Sequence, residues 1–217
     1  MSKKDYIIWG SKGHARVIGD IIKEDGNNIV AVVDNDIEVK PVFNDVPLLF
    51  GLRALDDWIS QRDFDIEKLC LAIAIGGARG QVRQTIACSV EKILKPVLIS
   101  KSASISPTSI IGQGSQVLAN AVIAADVIIG EFCIINNSSN VDHDCSLGPG
   151  VHIAPGAILC GCISIGANSM VGAGAVVLPY TSIGKNVIVG AGAVVTKDIP
   201  DDQIVVGNPA RKIESSG

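Results

Sequence analysis

One histidine of this chain lies between two acids, in the sequence Asp142-His143-Asp144. Imidazole has an ordinary pKa of about 6.5, so at neutral pH it can take a proton from a reacting group. A base positioned in this way typically contributes about 10²- to 10⁴-fold in rate, and a carboxylate beside it would fix its tautomer and stabilise the imidazolium. Either acid has the sequence position for this role. Because neighbouring side chains of a regular strand point to opposite faces, Asp144 can take it only if the backbone turns there.

A six-residue repeat surrounds this histidine and must position it. Counting in sixes from Ile105 to Val195, all sixteen head positions hold Ile, Val or Leu, and the residue four places later is always small or β-branched. This period fits neither a helix nor an alternating strand, but it fits a solenoid with three hexads in each coil. The heads would fill a narrow axial core, with the small residues at a crowded inner site. His143 follows the head Val141 by two places, so we expect it to project outward.

Glycine often follows a head directly, as at Gly130 and Gly148, and we expect it to allow the tight backbone geometry of a corner. The small inner site explains Cys133 and Cys145. Cys160 and Cys162 form a C-x-C pair without a second pair, which is weak support for a metal site. The six cysteines are therefore predicted to be reduced structural thiols, and no metal is expected.

The first hundred residues follow a different pattern, in which short apolar runs alternate with helical periodicity. Strands are predicted at 6–9, 28–34, 68–75 and 96–99, and helices follow near 15–22, 52–60 and 79–94. This alternation predicts a small parallel sheet with helices on its faces. Gly10, Gly13, Asp34 and Gly76 lie at the carboxyl ends of these strands, where such sheets bind ligands and where a helix N-terminus can meet phosphate. The spacing differs from the dinucleotide G-x-G-x-x-G, and glycines that only make a turn are the alternative.

Charge also separates the two parts, since residues 1–96 hold 13 basic and 14 acidic side chains whereas residues 97–200 hold 3 and 5. A net charge of -4 gives no indication of the basic charge excess that binding to nucleic acid or to an anionic membrane requires. The apolar run at 6–9 is too short for a signal-peptide core or a membrane span, so a cytoplasmic protein is expected. We predict an α/β domain over 1–98, a β-helix over 99–200 and a tail over 201–217.

A domain that opens with the turn Gly10-Ser11-Lys12-Gly13-His14, runs into an unbroken hexapeptide repeat and closes with the sequence at 207–212 resembles a known family. It is similar to the hexapeptide-repeat acetyltransferases of bacterial cell-surface polysaccharide biosynthesis. These include the sialic-acid O-acetyltransferases and the bacillosamine- and perosamine-type nucleotide-sugar N-acetyltransferases. The resemblance implies a left-handed parallel β-helix, acetyl-CoA as co-substrate, and a homotrimer with active sites between subunits.

The resemblance also implies roles for individual residues. His143 would be the general base and Asp144 its orienting acid. The substrate-binding residues would be Gly10, Ser11, Gly13, His14, Asp34, Asp36, Gly76 and Asn136. The residues near acetyl-CoA would be His152, Gly161, Gly172, Ala173, Gly190, Ala191, Arg211 and Lys212. Gly161 would offer its N–H to the thioester oxygen.

Several of these residues have a plainer interpretation. Lys12 departs from the small residue usual in the family, and it either adds a charge for phosphate or is simply solvated. His152 is equally explained as a structural histidine at a corner. Arg211 and Lys212 could cover the end of the solenoid and remain in solvent.

The predicted function is acetyl-CoA-dependent N-acetylation of a UDP- or GDP-linked amino deoxysugar, at C4, by direct attack on the thioester. O-acetylation of a sugar hydroxyl and a non-catalytic scaffold are the alternatives. A zinc carbonic anhydrase on the same β-helix needs three histidine ligands, and the repeat offers only His143 and His152.

Overall fold

A computed structural model describes residues 3–213. The chain forms two compact units. The first holds the chain up to Gly76 together with Val82–Leu98. The second holds Gly77–Gln81 and the chain from Ile99 onward.

The first unit is a four-stranded parallel sheet with the strand order β3-β2-β1-β4. Its elements are β1 (Asp5–Trp9), α1 (Gly13–Glu24), β2 (Asn28–Asp34), β3 (Leu48–Phe50), α2 (Gly51–Ser60), β4 (Leu69–Ile73) and α3 (Gly80–Ser89). All five residues of β4 are buried, as expected for a parallel sheet that is covered on both faces. The predicted α/β domain is confirmed.

Three details of this unit differ from the prediction. The edge strand β3 was not predicted, because three residues are too few to show a period. Helix α3 ends at Ser89 rather than at 94, and the ammonium of Lys95 donates to the carbonyls of Val90, Glu91 and Ile93 beyond its end. The last strand, β5 (Leu98–Ile99), belongs to the eight-stranded sheet of the β-helix and not to the α/β sheet.

The second unit is a parallel β-helix of three sheets. The five-stranded sheet contains β7 (Ile110–Ile111), β10 (Ile128–Ile129), β13 (Ser146–Leu147), β16 (Ser164–Ile165) and β19 (Ser182–Ile183). The six-stranded sheet contains β6 (Ser104–Ile105), β9 (Val122–Ile123), β12 (Asn140–Val141), β15 (Ile158–Leu159), β18 (Val176–Val177) and β21 (Val194–Val195). The eight-stranded sheet contains β5, β8 (Gln116–Val117), β11 (Ile134–Ile135), β14 (His152–Ile153), β17 (Met170–Val171), β20 (Ile188–Val189), β22 (Ile204–Val206) and β23 (Arg211–Lys212).

Strands stack in parallel on the strand one coil later, as Ile128 stacks on Ser146, whereas β23 pairs antiparallel with β22. The heads and the small inner residues together form the buried axial core. The three hexads per coil predicted from the repeat are therefore confirmed. The left-handed parallel β-helix implied by the family resemblance is confirmed as well.

The turn between hexads is made by a residue that the sequence argument overlooked. The third residue after a head takes a left-handed φ, as at Asn120 (57°), Asp144 (58°) and Cys162 (61°). Glycines directly after a head, such as Gly130, do not have this φ. A Cβ at Gly130 would lie 2.7 Å from the backbone nitrogen of Pro149 in the next coil. The prediction that these glycines serve the turn is wrong, because they allow neighbouring coils to approach closely.

This distinction predicts different effects of two glycine substitutions on stability. Gly130→Ala is expected to lower the free energy of unfolding by about 1–3 kcal/mol, since the new methyl meets backbone atoms that cannot move aside. Gly156→Asn is the matched control, because Gly156 has a left-handed φ that Asn tolerates and nothing within 4 Å of its Cβ position. Denaturant unfolding of both variants gives the comparison. Equal stabilities would contradict the close-approach explanation.

No helix within residues 3–213 combines the length and apolar character required to cross a bilayer.

Candidate active site

His143 and Asp144 form a close pair at a corner of the β-helix. Nδ1 of His143 lies 2.7 Å from Oδ2 of Asp144, and the left-handed φ of Asp144 supplies the backbone turn that this contact requires. Asp142 instead accepts the backbone N–H of His143 through Oδ1 at 2.7 Å. Asp144 is therefore the acid that contacts the ring, and Asp142 holds the backbone.

This pair gives the imidazole of His143 a defined tautomer and basicity. An ionised carboxylate only accepts hydrogen bonds, so Nδ1 carries the proton and Nε2 keeps a lone pair. The hydrogen bond to Asp144, with a smaller contribution from the charge of Asp142, raises the pKa of His143 above its usual value. The side chain is 53% exposed, so a substrate can reach it. The arrangement can accept a proton at Nε2.

Gly161 lies beside the same ring, one coil further along. A Cβ on Gly161 would lie 2.6 Å from both Cε1 and Nε2 of His143. The next residue, Cys162, donates its backbone N–H to the carbonyl of His143 at 2.9 Å. The structure thus brings together three of the residues singled out in the sequence, His143, Asp144 and Gly161.

His152 lies in strand β14, so its predicted corner position is wrong. It is only 5% exposed. Its Nδ1 is 3.2 Å from the carbonyl oxygen of Gly77, and its Nε2 is 3.1 Å from Nδ2 of Asn136. Because Oδ1 of Asn136 accepts the N–H of Asn137, the amide nitrogen faces the ring. The His152 ring is therefore held between the carbonyl of Gly77 and the amide of Asn136.

The segment Gly77–Gln81, which runs from the loop after β4 into the first two residues of α3, belongs to the β-helix unit. In addition to the contact of Gly77 with His152, the amide of Asn168 donates to Oε1 of Gln81 at 3.3 Å. A Cβ on Gly80 would collide with the carbonyl of Gly150. Sequence reasoning missed the packing of this segment on the β-helix. Its contacts join residues about 70 to 90 positions apart, and the segment has no repeat signal.

In the first unit, the glycine turn is braced by Asp34. Oδ2 of Asp34 accepts the backbone N–H of Ser11 at 2.7 Å, and Oδ1 accepts that of Asp36 at 3.0 Å. The hydroxyl of Ser11 donates to the carbonyl of Lys40. The backbone N–H and the hydroxyl of Ser11 thus both have partners within the domain. Asp34 fixes the conformation of the glycine turn that would hold a ligand.

Glycine at position 10 is required by close approach. Gly10 has a φ of 114°, and a Cβ there would lie 2.7 Å from the carbonyl oxygen of Ala74. Gly13, the first residue of α1, and Gly76 have no heavy atom within 4 Å of a Cβ position. Open space above these two glycines leaves room for a phosphate close to the backbone. His14 follows at the start of the same helix.

Lys12 forms an ion pair with Asp36, at 3.4 Å. The backbone N–H of Glu38 and the Lys12 ammonium hold the pKa of the Asp36 carboxyl below its usual value. Lys12 therefore pairs with a predicted substrate-binding residue, an arrangement that neither sequence interpretation anticipated.

The residues predicted to lie near acetyl-CoA are placed along the later coils. A Cβ at Gly172 would meet the backbone of Ala191, and a Cβ at Gly190 would meet the side chain of Val206. The stacking of neighbouring coils is therefore by itself a reason for glycine at both positions. Ala173 and Ala191 directly follow these glycines, and Ala173 accepts the backbone N–H of Gly192. Arg211 and Lys212 form β23 and help to line a cavity of about 360 Å³ that also contains Lys197. Lys197 was not singled out in the sequence.

Known proteins match both units. Residues 5–90 match the PglD N-terminal domain, and residues 162–197 match the bacterial transferase hexapeptide (six repeats) model. A histidine-to-asparagine variant of perosamine N-acetyltransferase from Caulobacter crescentus, in complex with CoA and GDP-perosamine, is 33% identical over 99% of both chains, with a TM-score of 0.88. The chain belongs to this family of hexapeptide-repeat sugar acetyltransferases.

Two further solved structures agree. The acetyltransferase domain of PglB from Neisseria gonorrhoeae FA1090, in complex with acetyl coenzyme A, is 34% identical over 98% of this chain and 100% of that domain, with a TM-score of 0.84. WeeI from Acinetobacter baumannii AYE is 30% identical over 97% and 100% of the two chains, with a TM-score of 0.85. The predicted family and the predicted acetyltransferase activity are confirmed.

Proposed function

We propose that this acetyltransferase moves the acetyl group of acetyl-CoA to the C4 amino group of a UDP- or GDP-linked amino deoxysugar, with His143 as general base. The observation that carries the proposal is the His143–Asp144 pair, whose Nε2 faces Gly161. Relatives of similar length support the substrates, since the Caulobacter enzyme holds CoA and GDP-perosamine and the PglB domain holds acetyl coenzyme A.

The proposed reaction is one direct transfer. Nε2 of His143 accepts a proton from the amine, whose nitrogen forms the new bond to the thioester carbonyl carbon. The carbonyl oxygen becomes an oxyanion and accepts a hydrogen bond from the N–H of Gly161, a contact that can be worth about 2.7–4 kcal/mol. The C–S bond then breaks, the amide remains on the sugar, and CoA leaves as the thiol with the proton from His143. Asp144 stabilises the imidazolium between these steps.

The nucleotide is assigned to the first unit. Gly13 opens helix α1, and the N-terminus of a helix attracts phosphate through its free backbone N–H groups and its dipole. The open space at Gly13 and Gly76 lets a diphosphate approach the backbone. His14 is the second residue of α1, and Asp36 follows the carboxyl end of β2. Both are proposed to contact the sugar nucleotide, with Lys12 exchanging its partner Asp36 for phosphate.

The phosphates of CoA are assigned to the cavity near Arg211, Lys212 and Lys197. Replacing both Arg211 and Lys212 by alanine is expected to raise KM for acetyl-CoA by roughly tenfold and to leave kcat nearly unchanged, since two exposed charged contacts to a ligand are lost. A truncated acetyl thioester without phosphates should show no change in KM. Lys185→Ala, which removes an exposed lysine paired with Asp201, is the control. Equal effects on both thioesters would contradict the assignment.

The His143–Asp144 pair also predicts a pH dependence. The raised pKa of His143 means that the base is protonated, and activity is lost, as pH falls through that raised value. Asp144→Asn should therefore shift the acidic limb of kcat/KM to lower pH, with a loss of roughly tenfold at the plateau because the imidazole itself remains. Asp142→Asn should shift the limb in the same direction by less. An unchanged limb in Asp144→Asn would contradict His143 as the titrating base.

We further propose a homotrimer, supported by apolar side chains on an outer wall of the β-helix. On the six-stranded sheet, the outward-facing Val122 and Ile158 are 37% and 43% exposed, and Val176 and Val194 continue the column. Light scattering coupled to gel filtration should give three times the subunit mass. Ile158→Lys should lower that mass, and a monomeric wild type would refute the trimer.

The decisive test of function is incubation with acetyl-CoA and a set of 4-amino UDP- and GDP-sugars. Release of CoA thiol and an alkali-stable acetylated product are expected with at least one of them. An alkali-labile product would instead indicate O-acetylation. No thiol release with any amino sugar would refute the N-acetyltransferase proposal.

A further inference from the structure

A thiol completes a potential metal-binding cluster at the candidate base. One ligand atom from each of His143, Asp144 and Cys162 lies within 4.8 Å of the others, and this is the single cluster of its kind in the described part of the chain. Cys162 follows Asp144 by one full coil, and both residues take a left-handed φ. Their side chains therefore leave the same corner one above the other, beside the imidazole of His143.

We propose that His143, Asp144 and Cys162 bind a thiophilic divalent cation, Zn²⁺ above all, and that the bound cation reversibly inhibits acetyl transfer. Metal binding is independent of the proposed function, whereas inhibition rests on the role of His143 as base. The metal is an inhibitor in this proposal and takes no part in catalysis.

The donor set favours Zn²⁺. Thiolate, imidazole and carboxylate are its usual protein ligands, and three of them leave the fourth tetrahedral position to water. Mg²⁺ and Ca²⁺ prefer oxygen, of which this cluster supplies one group. With the usual Zn–ligand bond lengths, ligand atoms around tetrahedral zinc lie roughly 3.3–3.6 Å apart. The side chains of His143 and Asp144 are more than half exposed. Small rotations can therefore widen the 2.7 Å between Nδ1 of His143 and Oδ2 of Asp144 and shorten the longer separations without disturbing a packed core.

Inhibition follows from the chemistry of imidazole. A neutral ring has one N–H and one lone pair. If the cation binds Nε2, it occupies the lone pair that accepts the substrate proton. If it binds Nδ1, the ring proton resides on Nε2, and again no lone pair is available there. Either geometry removes the base.

The neighbouring Cys160 does not belong to this cluster, although it forms the C-x-C pair in the sequence. Cys160 packs against the axial core, and its carbonyl accepts the thiol of Cys145 at 3.2 Å. Cys162 thus forms its cluster with His143 and Asp144, which lie one coil earlier in the chain, and not with Cys160. A sequence search for paired cysteines cannot find such a cluster.

Cobalt titration of the full chain, kept reduced by a non-chelating phosphine, tests the site directly. A thiolate-to-cobalt charge-transfer band and the intense visible bands of tetrahedral Co²⁺ are expected, and Zn²⁺ should displace them. Cys162→Ser should abolish the charge-transfer band and weaken Zn²⁺ binding by at least about tenfold, since loss of even an outer-shell partner of a metal ligand costs that much. Cys88→Ser, which alters an exposed cysteine of the other unit, should bind as the wild type does.

Acetyl transfer supplies the second measurement. Zn²⁺ should inhibit the wild type, and a chelator should restore activity. Cys162→Ser should keep the metal-free rate and require at least about ten times more Zn²⁺ for half inhibition. Absence of a charge-transfer band, or equal Zn²⁺ binding by Cys162→Ser and the wild type, would overturn the site. Binding without inhibition would overturn the inhibitory role, and absence of acetyl transfer in every protein would count against the proposed function while the cobalt titration still decides the metal site.

Discussion

His143→Ala is expected to lower kcat by about 10²- to 10⁴-fold, the usual contribution of a positioned general base. KM for acetyl-CoA should change little, because the proposed role of the imidazole is to accept a proton and not to hold the thioester. The free energy of unfolding should be nearly unchanged, since the side chain is largely exposed and its hydrogen bond with Asp144 lies at the surface. Steady-state kinetics with the best amino-sugar substrate and denaturant unfolding measure these quantities.

The control for this variant is a change at the same place in another hexad. Glu131, like His143, is exposed and follows a head by two places, and Glu131→Ala should leave kcat unchanged. Added imidazole should partly restore His143→Ala, because the deleted ring leaves accessible space at the corner. Full acetyl transfer by His143→Ala would require a different base and would refute the proposed mechanism.

The repeat made much of this site predictable. Once the heads and small inner residues account for the core, His143 stands out as a polar residue for which the coil has no structural need. The family resemblance implied Asp144 as its partner, but the residues alone could not decide between Asp142 and Asp144, because that choice depended on the local φ at Asp144. In fourteen of the sixteen hexads, all except those of Thr108 and Asp198, the third residue after the head turns in this way. The prevalence of Asn, Asp and Gly at that place was a signal for the turn that went unused.

Other features depended on contacts that no local pattern encodes. The packing of Gly77–Gln81 on the β-helix brings Gly77, in the loop after β4, into contact with His152, which is 75 residues away in sequence. The brace between Asp34 and the N–H of Ser11 likewise links two turns that only the sheet brings together. The two acids Asp34 and Asp36 looked equivalent in sequence, yet one braces a turn and the other pairs with Lys12.

Gly161→Ala is expected to lower kcat by about 10²-fold while the fold stays intact. The methyl group would lie 2.6 Å from Nε2 and Cε1 of His143, so the ring must move, and a misplacement of about 1 Å can cost that much in rate. The backbone tolerates alanine here, since Ala125 holds the equivalent place one coil before His143. Thermal unfolding should therefore match the wild type. The proposed oxyanion donor, the N–H of Gly161, is retained.

A double-mutant cycle separates displacement of the ring from damage at Gly161 itself. If the methyl acts only by moving the ring, Gly161→Ala should have no further effect on kcat in a His143→Ala background. A further loss in that background would show that the substitution also disturbs the oxyanion contact proposed for the Gly161 N–H. If Gly161→Ala alone keeps full activity with an unchanged acidic limb in its pH profile, then Nε2 does not work from the position beside Gly161, and the proposed geometry of attack is wrong.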